Sequence, residues 1–194
     1  MIVLGVISDT HMPRMAKALP KALIDGLRKH RIDLLVHCGD MVSESAIPLF
    51  ESVAPFEAVA GNNDPPQIVK RYGRKKILTA GGVRIGLVHG DGARSGWSTP
   101  QHAFEQFAGA GVQAVLFGHS HIPYCRTRGG VLLFNPGSPT DKRLNPRYSY
   151  GILRISGAAV AGSLHYYFSK SPISLEYSRQ RFALAAAARQ RRRQ

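Results

Sequence analysis

The run Val3-Leu4-Gly5-Val6-Ile7 constrains this chain most, because it ends in Ser8-Asp9-Thr10-His11. A short apolar run rich in β-branched residues is predicted to be a strand buried on both faces. In open α/β sheets, ligand sites lie beyond the carboxyl ends of the strands. Asp9 and His11, two metal-capable side chains one residue apart, stand at that place. A lone Asp-x-His is equally compatible with a turn, so the ends of the later strands decide its meaning.

Those ends repeat the arrangement. A helix is predicted from about Pro20 to His30, with Pro20 suited to the first turn and Leu23, Ile24 and Leu27 as its apolar stripe. A strand over Asp33–His37 then runs into Cys38-Gly39-Asp40. Ser43 or Ser45 can cap a helix reaching about Val53, and a strand over Phe56–Ala60 closes in Gly61-Asn62-Asn63-Asp64-Pro65-Pro66. Lys76–Ala80 and Val83–Val88 are predicted to form a hairpin about Gly81-Gly82, ending in His89-Gly90-Asp91. A helix over Thr99–Ala110 precedes a strand over Ala114–Phe117 and the segment Gly118-His119-Ser120-His121. A strand over Val131–Phe134 ends in Asn135-Pro136-Gly137-Ser138, and Tyr148–Ile155 with Ala159–Phe168 is predicted to be a second hairpin. This order predicts an α/β (α+β) domain with mixed sheets over residues 1–170. A basic, alanine-rich and helical tail is expected over 171–194.

Five strand ends therefore carry Asp9 and His11, Asp40, Asn62, His89, and His119 with His121. Taken singly, each has an ordinary explanation: a core or loop histidine, or a turn Asp or Asn after glycine. Their succession does not. Oxygen donors mixed with imidazole suit Mn, Fe, Ni, Co or Zn rather than Ca or Mg. Seven donors are too many for one catalytic ion with an open position; they fit two ions sharing a bridging carboxylate.

The ordered series Asp9-x-His11, Gly39-Asp40, Gly61-Asn62, His89-Gly90 and Gly118-His119-Ser120-His121 resembles the calcineurin-like metallophosphoesterase superfamily. Cys38-Gly39-Asp40 and Asn135-Pro136-Gly137-Ser138 are similar to its small YfcE-like phosphodiesterase branch. The resemblance spans residues 1 to about 168 and implies a four-layer αββα sandwich. It also implies that Asp9, His11 and His121 hold a first metal, that Asn62, His89 and His119 hold a second, and that Asp40 bridges them. The activity implied is hydrolysis of a small phosphodiester or nucleotide-like substrate by a hydroxide between two divalent ions, Mn first, with Ni, Fe, Zn or Co as alternatives. Ser138 and Asn135 are expected to support the site.

Two positions depart from the superfamily pattern. Asn63 replaces the histidine that many members use to protonate the leaving oxygen, and an amide cannot act as a general acid. The YfcE-like branch commonly lacks that histidine as well. Asp91 stands where the branch often has a second histidine. Asn63, Arg94 and Trp97 are candidates for substrate contact, Asp64 is expected to hydrogen-bond locally, and His37 to be a satisfied core histidine.

Composition limits the alternatives. The formal charge of +14 includes six tail arginines and favours phosphate-bearing ligands. No apolar run approaches the roughly 18 residues of a membrane span. Met1 leads straight into the first strand, and Cys38 and Cys125 form no C-x-x-C pair, so a reduced, cytoplasmic setting is expected. A protein-binding scaffold, like the trafficking subunit that shares the superfamily fold, should have lost several of the seven donors. A nuclease reaching nucleic acid through the basic tail is the less favoured enzyme reading, and self-association stays open.

Overall fold

The computed structural model describes residues 1–170. The expected helical tail lies outside the described residues.

Alternation along the first strand builds two layers at once. In β1 (Ile2–Ile7), Leu4 and Val6 face one apolar cluster, while Val3 and Ile7 face another. The same split recurs in β2 (Leu34–His37), where Val36 and Leu35 point to opposite clusters. Strands buried on both faces need a layer on each side, and this chain supplies a second sheet on one face and helices on the other.

The first sheet has the order β10-β9-β1-β2-β3, with β3 at Phe56–Ala58, β9 at Tyr148–Ser156 and β10 at Ala159–Tyr167. The second is β4-β5-β6-β8-β7, with β4 at Lys75–Ala80, β5 at Val83–Val88, β6 at Ala114–Leu116, β7 at Tyr124–Arg128 and β8 at Val131–Asn135. Each sheet has three adjacent parallel strands, β1-β2-β3 or β5-β6-β8; the antiparallel hairpin β9-β10 extends the first beyond β1, and the antiparallel strands β4 and β7 flank the second on both sides. Leu4, Val6, Val36, Ile85, Leu116, Phe134 and Leu153 fill the space between the sheets. Outside the first sheet pack α1 (Lys21–Lys29), α2 (Ile47–Glu51) and α3 (Pro66–Tyr72), through Leu23, Leu27, Phe50 and Ile68. Outside the second lies α4 (Thr99–Glu105), which covers it through Ala103, with Phe107 just beyond. The four layers are helix, sheet, sheet, helix, and the parallel strands bring their carboxyl ends to one edge of the sandwich.

Several expectations need adjustment. The helix expected to reach Val53 is a 3-10 turn, Glu44–Ala46, followed by the short α2, and Ser43 caps it by accepting from Ser45 N–H. The helix expected to reach Ala110 ends at Glu105. Two elements are additional. α3 hides behind Pro65-Pro66, with Pro66 at its first position, where a missing N–H is tolerated. β7 reads Tyr-Cys-Arg-Thr-Arg, a charged edge strand whose side chains give no apolar alternation. Among the described residues, no helix is long and apolar enough to cross a membrane.

Phe134 is fully buried at the centre of the inter-sheet layer, and its ring occupies space left by two glycines: a Cβ at Gly151 or Gly162 would come within 2.2 or 2.7 Å of it. Phe134→Ala should therefore lower the free energy of unfolding by roughly 3–5 kcal/mol. Denaturant titration checks this, and a loss below about 1 kcal/mol would mean that the layer collapses around the gap.

Candidate metal centre

Five of the seven expected donors break with ordinary backbone geometry. Asp9, His11, Asp40, His119 and His121 all have φ between 48° and 67°, the left-handed region that non-glycine residues avoid. Backbone of this kind costs on the order of 1–3 kcal/mol per residue and persists only where its surroundings over-determine it. Here the surroundings are the adjacent strand ends. Asp9 N–H donates to the Gly39 carbonyl at 2.9 Å and His11 N–H to the Asp40 carbonyl at 3.0 Å, lacing the end of β1 to that of β2. Gly118 N–H donates to the His89 carbonyl at 2.9 Å, and His119 N–H donates to the Asp9 carboxylate at 3.0 and 3.2 Å, joining the two sheets.

Close approach requires glycine at two of these crossings. A Cβ at Gly118 would stand 1.9 Å from Ser8 Oγ and 2.7 Å from the Asp9 carboxylate. A Cβ at Gly61 would meet the Asp40 carboxylate at 2.2 Å. Neither position accepts a side chain without moving a candidate ligand.

Asp9, His11, Asp40, His89 and His121 are buried. Two tight groups result, Asp9 with His11 and His121, and Asp9 with Asp40 and His89, each with donor atoms within 4.8 Å of one another. Asp9 is common to both. Asp40 Oδ2 lies 3.4 Å from His11 Nε2 and 3.4 Å from His89 Nε2, so it faces one histidine of each expected metal. His121 Nε2 is 3.5 Å from Asp9 Oδ1. His119 is half-buried at the rim, its ring edge-on to His89 at 5.2 Å between centroids. Asn62 is exposed, and its side chain makes no hydrogen bond among the described residues; its neighbours hold Asp40 instead.

The histidine nitrogens test whether metal suits this place. Both ring nitrogens of His11, and Nε2 of His89 and His121, are buried without a hydrogen-bond partner among the described residues. Buried polar atoms are rarely left unpaired. His89 Nδ1 donates to the Cys38 carbonyl at 2.8 Å and His121 Nδ1 to the Asp141 carbonyl at 2.5 Å, which directs each Nε2 lone pair toward the carboxylates. Carboxylates and imidazoles converging in this way form a donor set suited to borderline divalent ions.

Electrostatics show the same demand for positive charge. Burial alone would lower the pKa of His89, but the carboxylates of Asp40 and Asp9 push it up to about 9. Burial would raise Asp40, yet the imidazoles of His11 and His89 and the Asn63 amide hold it below the usual carboxylate range. Asp9 is raised, chiefly by burial. His119 is lowered, by burial and then by the charge of His89, with Asp91 close enough to oppose the shift.

The surrounding residues sort differently from their sequence reading. Asp64 does more than bond locally: its carboxylate accepts from the N–H groups of Asp40 at 2.9 Å, Gly61 at 2.8 Å and Val42 at 2.6 Å, fastening the end of β2 to the turn after β3. Asn63 donates to Asp40 through its backbone at 2.9 Å and its amide at 2.6 Å. His37 is a satisfied core histidine: Nδ1 accepts from Gly39 N–H, Nε2 meets Thr10 Oγ1, and burial lowers its pKa to about 3. Ser138 Oγ donates to the Asp9 carbonyl at 2.8 Å, and Asn135 donates to the Gly118 carbonyl at 2.8 Å. Arg94 stacks on Trp97, and both line a groove with His102, Glu105 and Gln106, whose walls contain none of the seven donors. Asp141, beside His11 and His121, carries no motif that would have singled it out.

A proton on His89 competes with a metal for the same ring. The apparent affinity for a divalent ion should therefore rise steadily from about pH 6 and level off near the pKa of about 9. Calorimetric titrations across that range check this. An affinity independent of pH between about 6 and 8 would mean that the ion displaces no proton from His89.

The sequence profile of the calcineurin-like phosphoesterase superfamily domain matches residues 2–158. A probable metallophosphoesterase of Methanothermobacter thermautotrophicus is 36% identical over 160 residues, covering 80% of this chain and 87% of that protein. A protein named as a phosphodiesterase in Methanocaldococcus jannaschii is 27% identical over 149 residues, covering 69% of this chain and 82% of that one. Among solved structures, Vps29 of Entamoeba histolytica complexed with zinc superposes with a TM-score of 0.69 at 22% identity, a likeness of fold covering 85% of this chain and 99% of that one.

Proposed function

The chain belongs to the calcineurin-like phosphoesterase superfamily, and on that premise we propose that it is a phosphodiesterase using two divalent metal ions, manganese first among them. One observation carries the reading. The buried Nε2 atoms of His11, His89 and His121, none with a hydrogen-bond partner among the described residues, face the two buried carboxylates of Asp9 and Asp40, an arrangement that bound cations would complete. When bound, two such ions would polarise the phosphoryl oxygens and hold an activated water between them at neutral pH. Asp9, His11 and His121 would hold one ion, Asn62, His89 and His119 the other, and Asp40 would serve both. The relative named as a phosphodiesterase supports the choice of ester. Both cysteines are free, which supports a reducing, cytoplasmic setting.

Protein groups define the rest of the reaction. The amide of Asn63 is engaged with Asp40 and carries no acidic proton, so the departing oxygen is not protonated from this position. Esters with good leaving groups should react best. The test is metal-stripped protein assayed on an aryl phosphodiester, the matching monoester and cyclic nucleotides, with Mn, Ni, Zn or Mg restored in turn. Activity should return with Mn and be highest on the diester. No activity and no bound metal under any of these conditions would favour a protein-binding role.

Asp9→Ala should cut turnover by more than about 100-fold, beyond what loss of an outer residue produces, while circular dichroism reports an intact fold. Full activity in that variant would remove Asp9 from the site. Asn63→His should accelerate alkyl esters selectively over aryl esters. Equal changes on both would show that leaving-group protonation is not what this position controls.

A further inference from the structure

A histidine bound to a metal through Nε2 carries its proton on Nδ1, and that proton needs an acceptor that fixes the ring and its tautomer. Two of the three buried candidate histidines have one: the Cys38 carbonyl for His89, and the Asp141 carbonyl for His121. His11 does not, and its Nδ1 is buried without a partner among the described residues. The Asp141 carboxylate faces that gap. Its Oδ2 lies 3.9 Å from His11 Nδ1 and 3.8 Å from His121 Nδ1, and its side chain is 14% exposed. The backbone of Asp141 is held in register with the site, since its N–H donates at 2.8 Å to Ser138 Oγ, which itself donates to the Asp9 carbonyl.

We infer that Asp141 is a positioning residue for one metal only, the ion held by Asp9, His11 and His121, accepting the Nδ1 proton of His11 through its carboxylate and that of His121 through its carbonyl. The present separation from His11 is longer than a hydrogen bond, and a small rotation of the carboxylate or one bridging water closes it. A carboxylate behind both rings also draws a cation toward the place they face. The two rings stand edge to face, with centroids 5.2 Å apart, so a single carboxylate reaches both. This inference rests on the metal-centre reading above.

The test is Co(II) titration of the metal-stripped full-length protein, followed by calorimetry and by the visible absorption of the bound cobalt. In Asp141→Ala, one of the two binding steps should weaken by about 10–100-fold and its absorption band should shift, while the other step stays as in the wild type. Asp141→Asn keeps an oxygen acceptor without the charge and should recover part of the loss. Thermal midpoints of the metal-free variants, measured in parallel, verify that both fold. Wild-type binding with both steps unchanged in Asp141→Ala would overturn the inference and leave the metal centre standing. Equal weakening of both steps would also overturn it, because that is the signature of a loop disturbed as a whole. A wild-type protein that binds no cobalt would overturn the metal-centre reading itself, and this inference with it.

Discussion

Asp9 and Asp40 are buried together, with carboxylate oxygens within 4.8 Å of each other and of the same imidazole, His89. Two like charges at that distance repel by roughly 3–4 kcal/mol at an effective dielectric constant of about 20, before the cost of removing each from water. Positive charge must be supplied there. Without metal, the cluster obtains it from protons, which is why His89 is pushed up to about 9 while Asp40 is held low. Divalent ions meet the same demand more fully and leave the histidines neutral. The site is thus poised between protons and cations by the two carboxylates at its centre.

Everything around that pair serves to hold it. Hydrophobic burial between the sheets brings the ends of the parallel strands to one edge, and the segments beyond those ends turn into left-handed backbone to aim their side chains inward. That conformation opposes stability locally, so it is tied down by hydrogen bonds between segments far apart in sequence. Asp64 fastens Asp40 across 24 residues, and Ser138 fastens Asp9 across 129. Stability and chemistry therefore draw on the same contacts, and a glycine such as Gly118 is needed for the approach of Asp9 more than for any turn.

Much of this was legible in the sequence because strand ends announce themselves. Apolar β-branched runs followed by Asp or His beside glycine locate both an element and a candidate donor, and the five that the structure buries together, Asp9, His11, Asp40, His89 and His121, could be read in that way, as could both hairpins. Elements without such contrast escaped. α3 begins on tandem prolines that read as loop, and β7 lies at a charged edge with no buried face to pattern it. Residues that act through others escaped as well. Asp64 looked like a turn aspartate, and its bonds to Asp40 and Val42 exist only because two strand ends meet. Asp141 sits in a polar loop with nothing local to mark it, and its proximity to His11 arises from a contact across 130 residues. Local pattern encodes donors; tertiary contact alone selects the groups that orient them.

The central claim is that this pair of carboxylates is a seat for metal, and locating the metal tests it most directly. A crystal of the protein loaded with manganese, measured for anomalous scattering, should show two peaks. One should lie among Asp9, His11 and His121, the other among Asn62, His89 and His119, with Asp40 beside both. Density for water alone between the carboxylates, with no anomalous peak, would contradict the account.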